Sequence, residues 1–247
     1  MTSMTMSAGL PRALSSPHRC EDAIIGLRCD PLLAALSTSA REALLTCGQI
    51  RHYHTGERIH GKHDRSEHLY RILSGAVRIS SVSPEGREAI FNYYGPRDWF
   101  GLIGLLDGAP RTHDIHACGP CTLFIVPRHN FQALAADYAE FYRVFALQLC
   151  RMMRRAYTML EDQATLGLSS RLAKQLINLV DAYGTPHEQG RMIDLHMSQE
   201  DLSLLLGSTR QTINKKLAQW ARLGWIVVNY SEIVIVNREA LCQLYAP

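Results

Sequence analysis

The sequence predicts an α+β chain laid out in three successive parts: an N-terminal antiparallel β roll, one long helix, and a C-terminal pair of short helices closed by a β hairpin. Three observations predict it. Between about residues 50 and 130 short apolar runs alternate with turn residues; from about 131 apolar residues recur at steps of three and four; and beyond Gly167 short helical segments carry cap signals and end in two β-rich runs.

Composition sets the frame. A chain of 247 residues, 47% hydrophobic and 20% charged, holds enough apolar material for one large or two ordinary domains. No apolar run approaches the roughly 20 residues that cross a bilayer, so no membrane partner is expected. Residues 1–20 are small and polar without a continuous apolar core, and read as a loose tail rather than a secretory signal. The seven cysteines are odd in number and scattered, as expected of reduced thiols in a cytoplasmic protein. A net charge of +3 is too small to name a partner; its distribution matters more.

In the first part, assigned to residues 21–135, LYRIL, AVRIS, AIFNYY and TLFIV are separated by SG, SPEGRE, GPRDWFG and HACGPC. Alternation, β-branching and Gly/Pro punctuation at this spacing give the roll. Within it lies WFGLIGLLDGAPRTHD, where Gly101 allows close backbone approach and Arg111-Thr112 follows an Asp-Gly-Ala-Pro turn. Such a cradle suits an anion. An enzyme acting on phosphate is not expected, because there is no Walker sequence, carboxylate pair or nucleophile–base arrangement.

The second part, 136–166, is a helix on which Tyr142, Phe145, Leu149, Met152, Ala156, Met159 and Leu166 form a heptad seam. Ala146, Cys150, Met153, Tyr157 and Leu160 form a second apolar stripe on a neighbouring face. A helix apolar on two faces needs two surfaces to cover it, here the roll and an identical helix, which predicts a homodimer.

The third part, 167–247, carries the most specific motif. Ser198 suits an N-cap, with Glu200 and Asp201 in the first turn; that helix ends at Gly207, and Thr209 can cap a second over Arg210 to Arg222. Ser203, Gly207 and Ile213 give the small residue, turn glycine and buried β-branched residue that let two short helices cross closely. This is a helix-turn-helix, and IVVNYSEIVIV supplies a wing. Thr209, Arg210, Gln211, Asn214 and Lys215 are the expected contacts to double-stranded DNA: arginine reads guanine O6/N7 and glutamine reads adenine N6/N7. Two lysines and two arginines, and no acid, lie between Asp201 and Glu232, so the basic character is local to that face.

With these residues in hand, the chain resembles the Crp/Fnr family of bacterial transcription regulators over about residues 25 to 245. HGKHDRSEHLYRILSGAVRIS resembles a cyclic-nucleotide-binding-like roll, WFGLIGLLDGAPRTHD its phosphate-binding cassette, the long helix its dimerisation helix, and STRQTINKKL its recognition helix. The resemblance implies a homodimeric, sequence-specific regulator on a near-palindromic operator, with RNA polymerase as a further partner if it activates. It also implies Gly101, Leu102, Arg111 and Thr112 as the ligand-binding positions. Departures from the family pattern bear on the ligand. Leu102 replaces the glutamate that accepts from the ribose 2′-hydroxyl, and Ala156 and Tyr157 fall where cAMP-binding members carry Thr-Ser against the adenine. Losing both contacts argues against cAMP bound in the usual way. What remains is another nucleotide-type anion, such as a cyclic dinucleotide that could also use Arg151, Arg154 and Arg155, or a vestigial pocket in a constitutively DNA-competent protein. Gln211 for the family's glutamate predicts a half-site differing from the TGTGA type at one base pair. No metal site is expected: His52, His54, His60, His63 and His68 show no converging ligand pattern, and Cys20, Cys29 and Cys47 lack iron–sulfur spacing.

Overall fold

The computed structural model describes residues 27, 30–229 and 232–245. The tail assigned to 1–20, Cys20, Cys29 and the wing tip at 230–231 lie outside these residues.

The roll consists of two four-stranded antiparallel sheets. Strands β1 (Gln49–Tyr53), β8 (Cys121–Pro127), β3 (His68–Ser74) and β6 (Trp99–Phe100) form one in that order; β2 (Arg58–His60), β7 (Asp114–Ala117), β4 (Val77–Val82) and β5 (Glu88–Tyr94) form the other. Period-two alternation sorts their side chains. On β8, Leu123 and Ile125 face the roll interior with Tyr70, Ile72, Val77, Ile79 and Phe100, whereas Phe124 and Val126 face outward. The outward face is covered by α1 (Thr38–Cys47), α3 (Arg128–Asp137) and the start of α4 (Glu140–Thr165), through Leu44, Phe131, Phe141 and Phe145. A short helix, α2 (Leu102–Asp107), follows β6.

The long helix is divided from α3 at Tyr138-Ala139 and spans 26 residues, shorter than the expected thirty or so. Phe141, Val144 and Phe145 are buried, and Leu149 packs against the same core, so the roll takes the N-terminal portion of the predicted seam. Tyr142, expected on that seam, is instead exposed: packing is set by the neighbouring Phe141.

After the elbow at Leu166-Gly167, α5 (Leu168–Tyr183) leads into a hairpin of β9 (Gly184–His187) and β10 (Gly190–Ile193). Helices α6 (Gln199–Leu206) and α7 (Arg210–Arg222) follow, then β11 (Ile226–Asn229), β12 (Glu232–Ile235) and α8 (Arg238–Cys242). The third sheet has the order β11-β12-β10-β9.

A second core joins the C-terminal part to the roll. The strand pairing steps from Ile79↔Asn92 to Ser80↔Ile90, which places an extra residue in β5. This bulge lets Ile90 and Tyr93, three apart, share one face. Both then pack in the cluster that holds Leu172, Leu202, Leu206, Ile213 and Leu217.

One polar knot is buried between the roll and its covering helices. Asp30 and Arg71 form an ion pair, each almost completely inaccessible, and Asp30 also accepts from Trp99 Nε1 at 3.0 Å and the Leu32 amide at 2.7 Å. Arg71 sits at an outward position of β3, in an otherwise apolar layer, and needs that carboxylate. Removing one partner of such a pair leaves an uncompensated buried charge; Asp30→Ala should cost about 3–5 kcal/mol of stability by urea denaturation, with Asp30→Asn losing less.

Candidate functional site

The helix-turn-helix is built from local chemistry. Ser198 Oγ accepts from the Asp201 amide at 3.0 Å, and Asp201 returns a bond to the Ser198 amide at 2.8 Å, a capping box that starts α6. Gly207, at φ +61°, closes it in the left-handed conformation that glycine adopts without strain. Thr209 then accepts from the Thr212 amide at 3.2 Å and starts α7. Ser203 and Ile213 are buried where the two helices cross. Of the predicted contacts, Thr209, Arg210, Gln211 and Lys215 are exposed together at the N-terminal end of α7, and Thr209 is committed to the cap. Asn214 is half-buried, and its Oδ1 is inaccessible with no hydrogen-bond partner among the described residues.

The cradle in the roll is arranged differently from expectation. Gly101 has φ +88°, and a Cβ there would stand 2.6 Å from Arg111 Nη1. Arg111 takes that space: only 5% exposed, it donates to the carbonyls of Gly101, at 3.0 Å, and His68, and lies over the Tyr70 ring at 5.5 Å. Tyr70 stacks on Phe100 at 4.7 Å with planes 8° apart, and His60 lies against both rings. Burial, then the charge of Arg111, pushes the His60 imidazole down to about 3, so it stays neutral inside the roll. Thr112 is exposed and bonded to His113 Nδ1 at 2.8 Å. Leu102 is fully buried on the other side, among Leu27, Trp99 and Phe131, instead of standing beside Arg111. Gly101 and Arg111 are thus brought together, while Leu102 and Thr112 face other surroundings.

Of the histidines in the roll, His52 on β1 bonds Thr122 at 3.0 Å, while His60 is interior. Ala156 and Tyr157 are exposed on α4, Tyr157 at 62%.

Two features escaped the sequence reading. Cys118-Gly119-Pro120-Cys121 is a close C-x-x-C pair, which corrects the description of the cysteines as scattered; the motif itself was the signal. The pair spans the crossing from β7 to β8, Cys118 packing against the C-terminal part and Cys121 inside the roll, and burial pushes both thiols up to about 12. Thiols held protonated in this way are packing groups, not nucleophiles. The other feature is Arg78, which reaches Glu88 at 3.1 Å on β5 and Asp201 at 3.2 Å on α6. No sequence signal links two residues so far apart.

Comparison with known proteins agrees with this geometry. A cyclic nucleotide-binding domain model matches residues 50–138, and a Crp-like helix-turn-helix domain model matches residues 170–244. The chain is similar to the CRP-like cAMP-activated global transcriptional regulator of Mycobacterium tuberculosis, 30% identical over 188 residues that cover 76% of this chain and 84% of the relative. It is 28% identical over 200 residues to the global nitrogen regulator of Synechococcus elongatus, covering 80% and 90%. Its fold is similar to that of FixK2 from Bradyrhizobium japonicum, with a TM-score of 0.72 at 24% identity over 81% of this chain and 98% of that one. These relatives are regulators, not enzymes, and no helix among the described residues is long and apolar enough to cross a membrane. With a roll that matches the cyclic nucleotide-binding domain model ahead of a capped helix-turn-helix, and a relative at this identity over most of its length, the chain belongs to the Crp/Fnr family of DNA-binding transcription regulators.

Proposed function

We propose that the protein acts as a homodimer that reads a near-palindromic operator with the N-terminal end of α7, with Arg210, Gln211 and Lys215 as the base- and phosphate-contacting side chains. The observation that carries this reading is their joint exposure on a helix fixed by the Thr209 cap, with no acid beside them. Thr209 holds the helix start, and Asn214 becomes a contact if its side chain turns outward. Arg210→Ala should weaken operator binding by about 1–3 kcal/mol in a mobility-shift titration and relax the preference at one base pair. Sites selected from a random library should carry adenine where Gln211 reads; recovery of an unaltered TGTGA half-site would count against the assignment.

The dimer reading rests on the second stripe of α4. Met153, Tyr157 and Leu160 are 57%, 62% and 62% exposed, in the spacing of a coiled-coil seam. Two copies joined there carry two recognition helices, which must stand about 34 Å apart to enter successive major grooves. Sedimentation equilibrium at micromolar concentration should give a dimer for the natural chain and a monomer for the double variant Tyr157→Glu/Leu160→Glu, with operator affinity falling in step.

For the roll, the reading is a scaffold that does not seat cAMP in the usual way. Both terminal nitrogens of Arg111 donate to backbone carbonyls, and Tyr70, Phe100 and His60 pack the space beside it. A cyclic phosphate would have to displace both carbonyls. Calorimetry with cAMP should give no saturable heat; a micromolar site lost on Arg111→Lys would overturn this part.

A further inference from the structure

A further cavity lies outside the roll. It is a cleft of about 730 Å³ bounded by the end of β5, the second half of α4, α5 and the end of α6. Four cations line it, Arg154, Arg155, Arg171 and Lys174, with three carboxylates, Asp98, Asp162 and Asp181. Each carboxylate already has a cation. Arg155 reaches Asp98 at 3.7 Å, Lys174 reaches Asp162 at 2.6 Å, and Arg238, from outside the cleft, holds Asp181 through two bonds at 2.6 and 2.8 Å. Two guanidiniums are left without a carboxylate among the described residues. Arg154 has no side-chain partner there. Arg171 gives one bond, at 3.3 Å, to the Leu206 carbonyl at the end of α6, and its Nε is buried and unpartnered. The Tyr93 hydroxyl, also in the wall, is buried without a partner as well.

A concave space of this size, with two uncompensated charges on consecutive helices and unspent donors in its wall, has the chemistry of an anion site. We infer that this cleft binds a small anion carrying two phosphate groups, with Arg154 and Arg171 each taking one. The cleft is walled by the roll, the long helix, α5 and the end of α6, so such a ligand sits between the roll and the C-terminal part, at a place separate from the Arg111 cradle. Its regulatory consequence rests on the DNA-binding reading above, but the binding does not, and binding is measured without DNA.

The test is isothermal titration calorimetry of the full chain with two probes, inorganic pyrophosphate and cyclic di-GMP. At least one should saturate a single site per chain, and Arg154→Glu and Arg171→Gln should each weaken it about tenfold or more, the value of losing one hydrogen bond to a charged group. Thr112→Glu, at the exposed rim of the roll cradle, should leave the affinity unchanged. Pyrophosphate binding as tightly as cyclic di-GMP assigns the site to the phosphates alone, and tighter binding of cyclic di-GMP adds base contacts. Neither probe binding, or binding indifferent to both arginine variants, overturns the proposal. Arg154 is exposed and unbonded, so Arg154→Glu keeps the fold; sedimentation checks that it assembles as the natural chain does.

Discussion

The recognition helix is positioned by an apolar core that crosses the boundary between the roll and the C-terminal part. Ile90 and Tyr93 of β5 sit in one cluster with Leu202 and Leu206 of α6, and Ile213 and Leu217 of α7 complete it. Burying each such side chain is worth about 1.5–3 kcal/mol. The Arg78 pairs to Glu88 and Asp201 lie across the same seat, but these groups retain 22–31% exposure, and pairs so placed are worth little after solvent screening. The apolar seat therefore holds the domains together, and Arg78 sets which residues meet. Asp201 serves both ends of the arrangement, closing the capping box of α6 and receiving Arg78.

Two buried arginines show how one residue type can do opposite work in one fold. Arg71 is neutralised by Asp30 and belongs to the framework under the covering helices. Among the described residues Arg111 bonds no carboxylate; two backbone carbonyls and the face of Tyr70 meet its charge, and its burial holds its pKa below the ordinary value. The left-handed Gly101 makes that seat possible, since any Cβ there would press on the guanidinium. The glycine and arginine that mark a phosphate cradle in the sequence thus form a tight pair in which Arg111 Nη1 bonds the Gly101 carbonyl and Nη2 that of His68, while its Nε is buried without a partner among the described residues.

Much of this was legible in the sequence where the controlling chemistry is local. The boundaries of α6 and α7 follow from Ser198, Gly207 and Thr209, because caps act within three residues. The roll follows from alternation, and the exposed stripe of α4 from its period. What could not be read is what long-range packing decides. The direction of Leu102 depends on which face of the roll the covering helices occupy, and neither Arg78–Asp201 nor Arg71–Asp30 leaves a trace in spacing. Tyr142 fits the heptad pattern, but the roll selects Phe141 one residue earlier and turns the tyrosine out. The β5 bulge is hidden because a single extra residue leaves hydrophobicity unchanged while it redirects a strand face.

The elbow at Leu166-Gly167 joins α4, which carries the exposed apolar stripe, to α5, which begins the C-terminal part. That elbow is spanned by Lys174–Asp162 at 2.6 Å, and Arg155–Asp98 ties α4 to the roll just beyond β5. Both pairs line the cleft. An occupant of the cleft therefore competes with, or adds to, the contacts that fix the angle between α4 and α5. Each of these pairs, being partly exposed, is worth about 0–1 kcal/mol, so the energy at stake at the elbow is small beside that of the apolar seat. The walls of the cleft thus come from β5, α4, α5 and the end of α6 together, and they meet at the elbow outside the filled interior of the roll.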